Sequence, residues 1–405
     1  MNNKPRVLFL NRSYWPDSEA TGQLLTALCE GLADDFDVHV LAGQPNATQQ
    51  TDADWQQQTV RNGVTIHRVQ HSQFPKRSML LKALNFVSFV LACRRKILTL
   101  PRPDIVVFET DPFLLPFVAD RLQRKTRCRM VGYLQDIYPD VAVALRKVRN
   151  SWLIRRLRKR LFDIYARCDR MVVLSTDMKQ LLLDGGISED RIRIIPNWAD
   201  TEAIKPIPHD ENPFRKRHDL QDRFVVMYSG NLGLTQRLED FIEAAALLQD
   251  QPEIVFLLIG RGARKDDLQR KVAELGLTNV RFLDYQPLEQ LAESLSAADL
   301  HLIPLTAELS RCLMPSKLYG ILAAGRPYLT NAPETSELYQ ITTEHDCGLV
   351  VPARSPAAIA DAVSGACDKT PTLQQKGTAA RRLAESQYTK LKAIQSFSNL
   401  LSEVA

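Results

Sequence analysis

No stretch of eighteen apolar residues is free of charge, so no helix of this chain is expected to cross a bilayer. The opening, MNNKPRVLFL, passes directly into an apolar segment and lacks the apolar core and small-residue cleavage site of a secretory leader. The expectation is a protein that begins and stays in the cytoplasm. Cysteine is sparse, seven residues of 405, odd in number and never spaced C-x-x-C, which argues against a disulfide framework or a zinc site. G-x-G-x-x-G is missing from the first strand-to-helix loop, and no acidic residue follows the second strand where an adenosine ribose would need one. A dinucleotide site there is disfavoured. Nor does a D-x-D follow any strand, so nothing demands a divalent cation.

What is present describes a folded protein of two or three domains. Of the residues, 45% are apolar and 24% charged, and 405 residues exceed one ordinary core at roughly 100–200 residues per domain. The most informative stretch is Arg311 to Asn331, RCLMPSKLYGILAAGRPYLTN. It follows the apolar run Leu300 to Leu305 and precedes Tyr328-Leu329-Thr330, which reads as strand, turn, helix and strand. Pro315 suits the first helical turn, Ser316 can cap a free amide or meet a ligand oxygen, and Gly325 with Pro327 closes the helix. Such an opening presents unpaired N–H groups at a positive dipole end, and Lys317 adds a full charge, which suits a diphosphate. An ordinary α/β helix with a proline start and a glycine stop reads the same way.

In chain order, Arg6 to Leu10 predicts a strand and Asn11 to Gln23 a loop. A helix carrying Leu24, Leu25, Leu28 and Leu32 follows, and then a strand at Val38 to Ala42. Gly22 can be a plain turn glycine or can let a substrate approach the backbone. Further strands are predicted at Val64 to Val69, Ile105 to Phe108, Met130 to Tyr133 and Met171 to Leu174, alternating with helical segments. That alternation argues for a parallel sheet covered on both faces. Ligands of such sheets bind beyond the carboxyl ends of the strands, where this chain carries Glu109-Thr110-Asp111, Gln135-Asp136 and Ser175-Thr176. Asp136 is the strongest of these candidates, although an Asp after a strand also serves simply as a turn former or cap.

Two basic segments lie in this half. Lys76 to Leu98 is apolar in its middle and basic at both ends, and Arg146 to Arg160 holds eight Lys or Arg and no acid. In the second, Leu153, Ile154, Leu157, Leu161, Ile164 and Tyr165 share a helical stripe, with Arg155, Arg156, Arg158, Lys159 and Arg160 off it. Either segment suits an anionic membrane surface, where each cation contributes on the order of 1 kcal/mol. Solvated cations around a packed stripe are the alternative. Nucleic acid is disfavoured, because no aromatic platform accompanies the charge.

After Ile194-Ile195-Pro196-Asn197-Trp198, Ala199 to Arg223 reads as an interdomain linker running into an edge helix. A second α/β series follows. It has a strand at Phe224 to Tyr228, the loop Ser229-Gly230-Asn231-Leu232-Gly233, a helix carrying Leu238 to Leu248, and a strand at Ile254 to Ile259 before Gly260-Arg261-Gly262. The helix Lys265 to Leu275, the strand Val280 to Leu283 and the helix Leu288 to Ser296 lead into the Arg311 stretch. Two α/β series imply two domains, 1–200 and 201–377, and a final helical segment, 378–405, that can pack back across both.

Ser229 to Gly233, Gly260-Arg261-Gly262, Asn197 in I-I-P-N, and Pro315-Ser316-Lys317 with Ala323-Ala324-Gly325-Arg326-Pro327 together resemble glycosyltransferase family 4. The opening and Gln135 to Pro139 are similar to its exopolysaccharide branch, which includes the colanic acid enzymes classed as fucosyltransferases. The resemblance covers nearly the whole chain. It implies the GT-B architecture, two Rossmann-like doubly wound parallel-sheet domains facing across a cleft, and a retaining enzyme that moves a hexose from a nucleoside-diphosphate sugar to a lipid-linked saccharide. It further implies surface-polysaccharide synthesis at the inner membrane face, with no cofactor beyond the sugar nucleotide. On the same footing, Arg237 and Lys317 grip the donor diphosphate, with Met314, Pro315 and Ser316 holding diphosphate and ribose. Gly230, Asn231, Gly233 and Gly262 form the donor loops and Gly22 faces the donor, with Tyr285 near the base and Asp136 on the acceptor side. Asn231 stands where the family has another arginine. The family's E-x7-E glutamates fall at Cys312 and Gly320, a departure that keeps open a catalytically silent subunit of a polysaccharide assembly complex. A GT-B nucleotide-sugar epimerase, the other alternative, would want acids and histidines around the sugar.

Overall fold

The structure is a computed structural model that describes residues 4–17, 19–45, 57–74, 79–233 and 237–405. The chain forms two compact units: Met1–Pro196 joined by Leu391–Ala405, and Asn197–Lys390.

Unit 1 runs β1 (Arg6–Leu10), α1 (Ala20–Leu32), β2 (Asp37–Gly43), β3 (Gln58–Arg61), β4 (Val64–Val69), α2 (Met79–Lys96), β5 (Ile105–Phe108), α3 (Leu115–Thr126), β6 (Arg129–Tyr133), α4 (Asp140–Ala144), α5 (Trp152–Tyr165), β7 (Arg170–Val173), α6 (Thr176–Asp184) and β8 (Ile192–Ile194). The eight strands form one sheet in the order β3-β4-β2-β1-β5-β6-β7-β8. All neighbours are parallel except β3 and β4, whose hairpin turns on Asn62 and Gly63 at φ 45° and 79°. Sequence analysis missed β3, although Asn-Gly between two alternating segments is its usual signal. Strands β1 and β5 bury nearly every residue, as a parallel sheet covered on both faces requires. Strand order reverses between β1 and β5, which makes their carboxyl ends the switch point of this unit.

Unit 2 runs α7 (Pro213–Arg217), β9 (Phe224–Ser229), α8 (Glu239–Leu247), β10 (Ile254–Ile259), α9 (Lys265–Glu274), β11 (Val280–Leu283), α10 (Leu291–Ser296), β12 (Leu300–Ile303), α11 (Ala307–Ser310), α12 (Lys317–Ala323), β13 (Tyr328–Thr330), α13 (Glu337–Glu344), β14 (Gly348–Val350), α14 (Pro356–Asp368) and α15 (Thr370–Gln387). Its six strands are parallel in the order β11-β10-β9-β12-β13-β14, a doubly wound arrangement that reverses between β9 and β12. The period of two sorts the strands cleanly. Val226, Tyr228, Phe256 and Leu258 enter one core with α8, α9 and α14, whereas Val225, Met227, Leu257 and Ile259 enter the other with Phe214 and Ala297.

The structure corrects three boundaries. Residues 199–223, read as a linker running into an edge helix, are part of unit 2, and the edge helix is α7. Arg215 is buried there, and its guanidinium donates to the carbonyls of Ala297 (2.8 Å) and Leu220 (2.7 Å) and to Asp299 (3.0 Å), binding the segment to the base of the sheet. The final helical segment is two helices, α15 and α16 (Lys390–Val404). Between them Tyr388 turns edge-on to Tyr319, 5.2 Å between centroids, and its carbonyl accepts from the Ala199 amide at 3.1 Å. Helix α16 joins unit 1, with Phe397 edge-on to Tyr133 at 4.8 Å and the Ser398 hydroxyl on Asp35 at 2.7 Å. The stripe on α5 is also shorter than its periodicity suggests. Leu161, Phe162, Ile164 and Tyr165 are buried, but Leu153 is 59% exposed. Arg158 is not a free cation, since it pairs with Asp140 at 2.8 Å and lies over Phe162. Of the first basic segment, 76–78 fall outside the described residues.

Candidate active site

The glycines after β9 and β10 place two loops backbone to backbone at the switch point of unit 2. The Gly230 amide donates to the Ile259 carbonyl at 2.9 Å, and the Leu232 amide to the Arg261 carbonyl at 3.0 Å. Gly230 and Gly260 sit at φ 150° and 144°, which side-chain-bearing residues avoid. A Cβ on Gly260 would lie 1.9 Å from the Gly230 carbonyl oxygen, and one on Gly262 would lie 2.2 Å from that of Leu232. Gly233, half-buried, ends the first loop.

Lys317, the first residue of α12, reaches this point from the strand on the other side of the switch. Its Nζ donates to the Tyr228 hydroxyl at 3.0 Å and sits 4.1 Å from that ring's centroid, and the hydroxyl donates to the Asn231 carbonyl at 2.8 Å. A Cβ on Gly230 would be 3.3 Å from Lys317 Nζ, so a larger residue there would crowd the ammonium. Burial pushes the Lys317 pKa down to about 7, and among the described residues no carboxylate offsets it. Burial raises the Tyr228 phenol, which therefore keeps its proton beside the amine. A half-buried cation beside a phenol, with no acid among the described residues around it, is an arrangement that an anionic ligand completes.

The approach to Lys317 differs in detail from the sequence reading. The helix begins at Lys317, so Ser316, itself at helical dihedrals (φ −60°, ψ −26°), flanks it and Pro315 stands one residue ahead of the first turn. The Ser316 hydroxyl makes no capping hydrogen bond and is exposed, while Met314 is buried. At the far end Gly325 takes φ +63°, and the amides of Gly325 and Arg326 return to the carbonyls of Leu322 (3.0 Å) and Ile321 (3.3 Å), the glycine-closed ending expected from sequence. Cys312 is buried with its thiol toward the Glu308 carbonyl, and a Cβ on Gly320 would lie 3.2 Å from Leu295. Glu308 is half-exposed, 4.0 Å from Arg354.

Tyr285 is half-exposed near Arg261, and its neighbour Asp284 pairs with Lys265 (2.8 Å) and Arg261 (3.4 Å), which hold that carboxyl below its usual range. Arg237 lies apart from Lys317. It adopts φ 44°, pairs with Asp240 at 3.2 Å and lines a cleft with Arg264, Lys271 and Arg354. Among the described residues no contact joins Arg237 to Lys317 or Gly230.

Gly22 and Asp136 belong to unit 1. Gly22 is in the first turn of α1, not in a loop, and a Cβ there would meet the Ser13 hydroxyl at 2.5 Å. At the β1/β5 switch point Arg12 binds Asp111 (2.9 Å) and Glu19 (2.8 Å). Burial, opposed by a hydrogen bond from Thr110, raises Asp136 to about 6, and burial with the nearby Asp111 carboxylate also raises the fully enclosed Glu109. Sequence reasoning missed Tyr228 and Arg12. Both sit at strand ends in view of the pattern, but their partners depend on how neighbouring loops pack.

Two family descriptions match adjoining parts of the chain: "Glycosyltransferase Family 4" over residues 21–203 and "Glycosyl transferases group 1" over residues 210–383. The chain is 25% identical over 410 residues to the colanic acid biosynthesis glycosyl transferase WcaI of Escherichia coli K12, covering 97% of this chain and 99% of that one. It is 27% identical over 297 residues to a Pseudomonas aeruginosa protein named as glycosyltransferase WbjE, covering 73% and 74%. Among solved structures, HepE of Anabaena, determined with UDP and glucose, superposes with a TM-score of 0.74 at 16% identity over 98% of this chain and 99% of that one. Sucrose-phosphate synthase of Thermosynechococcus elongatus does so with a TM-score of 0.79 at 17% identity over 99% of each. With two doubly wound units of this kind and family matches running from residue 21 to residue 383, the chain belongs to the family 4 glycosyltransferases of GT-B fold.

Proposed function

We propose that the chain is a retaining enzyme that transfers a hexose from a nucleoside-diphosphate sugar to a lipid-linked saccharide in surface-polysaccharide synthesis, working at the cytoplasmic face of the membrane. The observation that carries the donor assignment is Lys317, a half-buried ammonium without an acidic partner among the described residues, beside Gly230 at the strand reversal of unit 2. As the sugar–oxygen bond breaks, negative charge grows on the leaving diphosphate. Lys317, the exposed Ser316 hydroxyl and the opening of α12 would stabilise it. Arg237 can join them by leaving Asp240, an exchange that a half-exposed ion pair permits at a cost of about 0.2–1 kcal/mol. Tyr285 would lie against the base. Asp136 and its neighbours would orient the acceptor. The reading asks for no metal cofactor, since the charge is met by protein cations. The names of the relatives WcaI and WbjE support the polysaccharide context, and the UDP and glucose in the HepE structure support a nucleotide-sugar donor.

A screen of nucleoside-diphosphate sugars by thermal unfolding tests the donor half. A correct donor at about a hundred times its Kd stabilises the folded state by about 2.7 kcal/mol. No shift with any sugar nucleotide would remove the donor assignment. A second reading, a sugar-nucleotide-binding subunit without turnover, is favoured by the buried thiol of Cys312 and by Gly320, neither of which offers a carboxylate where the family carries its two glutamates. Donor stabilisation without transfer to any lipid-linked saccharide would select it.

A further inference from the structure

Helix α2 carries an apolar line that no described residue of its unit covers. Leu80 is 70% exposed, and Leu84, Val87 and Leu91 between 45% and 47%; their spacing of four, three and four residues places them on one face. The next position on that line is Arg94, which enters a cleft of about 700 Å³ walled by α2, α3 and α5. Trp152 and Leu153, at the start of α5, are exposed as well. Lys82 of α2 lies close enough to Lys147 for the two cations to repel, so the beginning of α2 and the basic segment before α5 adjoin.

The cleft is short of negative charge. Its only acids among the described lining residues are Asp120 and Asp163, and Asp120 is occupied by Arg124 (3.0 Å) and Arg167 (2.7 Å). Arg94, Arg121, Lys125 and Arg160 have no ion pair or hydrogen bond to a described residue. We propose that this cleft receives the phosphate headgroup of an anionic phospholipid while the Leu80–Leu84–Val87–Leu91 line enters the acyl boundary beside it, making one face of unit 1 a bilayer-docking surface.

Charge decides the occupant. Neither α2 nor residues 146–160 contain an acid, so pairing this face with that of a second copy would set cation against cation. An anionic bilayer answers both halves at once, apolar side chains into the lipid boundary and cations to the phosphates. No helix among the described residues is long and apolar enough to cross the membrane, so the contact is peripheral. The inference deepens the membrane part of the proposed function, but its test needs neither donor nor acceptor.

Vesicle sedimentation is the experiment, with phosphatidylcholine alone and with added phosphatidylglycerol. The full chain is expected to bind the anionic vesicles at least about tenfold more tightly than the neutral ones. Leu84→Glu with Leu91→Glu, and separately Arg121→Gln, Lys125→Gln and Arg160→Gln together, should each reduce that binding roughly tenfold. All these side chains lie on the surface or in the open cleft, and an unchanged melting temperature verifies folding. Equal binding to both vesicles, no binding, or variants that bind like the parent would overturn the proposal. So would a dimer of the parent in solution that the leucine variant dissociates while vesicle binding persists. Thermal stabilisation by sugar nucleotide should be the same in every variant, so a failed donor assignment and a failed docking surface give different results.

Discussion

Lys317→Ala is expected to lower transfer at least a hundredfold and leave the protein folded, with a melting temperature no lower than the parent's below pH 7. The first part follows from removing a preorganised positive group at the leaving diphosphate, a change that typically costs about 2.7–4 kcal/mol in the barrier. The second follows from the sign of the pKa shift. A lysine whose pKa falls to about 7 in the folded state is a cation held at a cost, present in full below pH 7 and gone once pH exceeds the unfolded value. Deleting it relieves that cost and loses only a contact with Tyr228 and the stem packing. Arg237→Ala is also expected to reduce transfer by about a hundredfold if its guanidinium joins the diphosphate. A rate near that of the parent would leave it in its surface pair with Asp240. Initial rates with saturating donor, beside thermal unfolding at pH 6, separate catalytic loss from unfolding; near-normal turnover in Lys317→Ala would end the diphosphate assignment.

The second large effect is structural. Gly260→Ala puts a methyl group 1.9 Å from the Gly230 carbonyl oxygen, with no flexible side chain to yield, and at a φ of 144° that alanine avoids. Overpacking costs typically about 1–3 kcal/mol and backbone strain about 1–3 kcal/mol more. In a unit of this size a drop in melting temperature on the order of 10 °C follows. Donor binding should weaken as well, because the only way to relieve the clash is to part the loops that flank Lys317. Gly365→Ala is the control. That glycine is inside α14 with nothing within 4 Å of an added Cβ, and alanine there should be neutral or stabilise by up to about 1 kcal/mol. Similar melting temperatures for the two variants would contradict the backbone-to-backbone contact.

Much of the fold was legible because parallel strands buried on both faces read as unbroken apolar runs, as in Val7 to Leu10 or Ile254 to Ile259. The glycine-closed end of α12 was legible for the same local reason, since Gly325 and Pro327 leave the chain few alternatives. What failed to show was whatever a distant contact decides. Residues 199–223 have the composition of a linker, yet one buried guanidinium at Arg215 fastens them to the sheet. Thr378 to Ala405 has the periodicity of one helix, yet it is divided between two helices, with Tyr388 packed on Tyr319 between them. Within the site, Lys317 was visible as a charge near a helix start. Its burial against Tyr228 depended on the phase of β9 and on the close passage of two glycine loops, which no local pattern records.

The central claim is that this one ammonium receives the donor's diphosphate, and proton uptake tests it most directly. At pH 8 a lysine of pKa near 7 is mostly neutral, and an adjoining diphosphate would restore its charge; the diester diphosphate of a sugar nucleotide does not itself titrate there. Titration calorimetry of the stabilising sugar nucleotide at pH 8, in two buffers of different ionisation enthalpy, is therefore expected to record uptake of close to one proton. Uptake should fall toward zero at pH 6 and be absent in Lys317→Met. Binding without proton uptake at pH 8, or equal affinity and uptake in the methionine variant, would contradict the assignment.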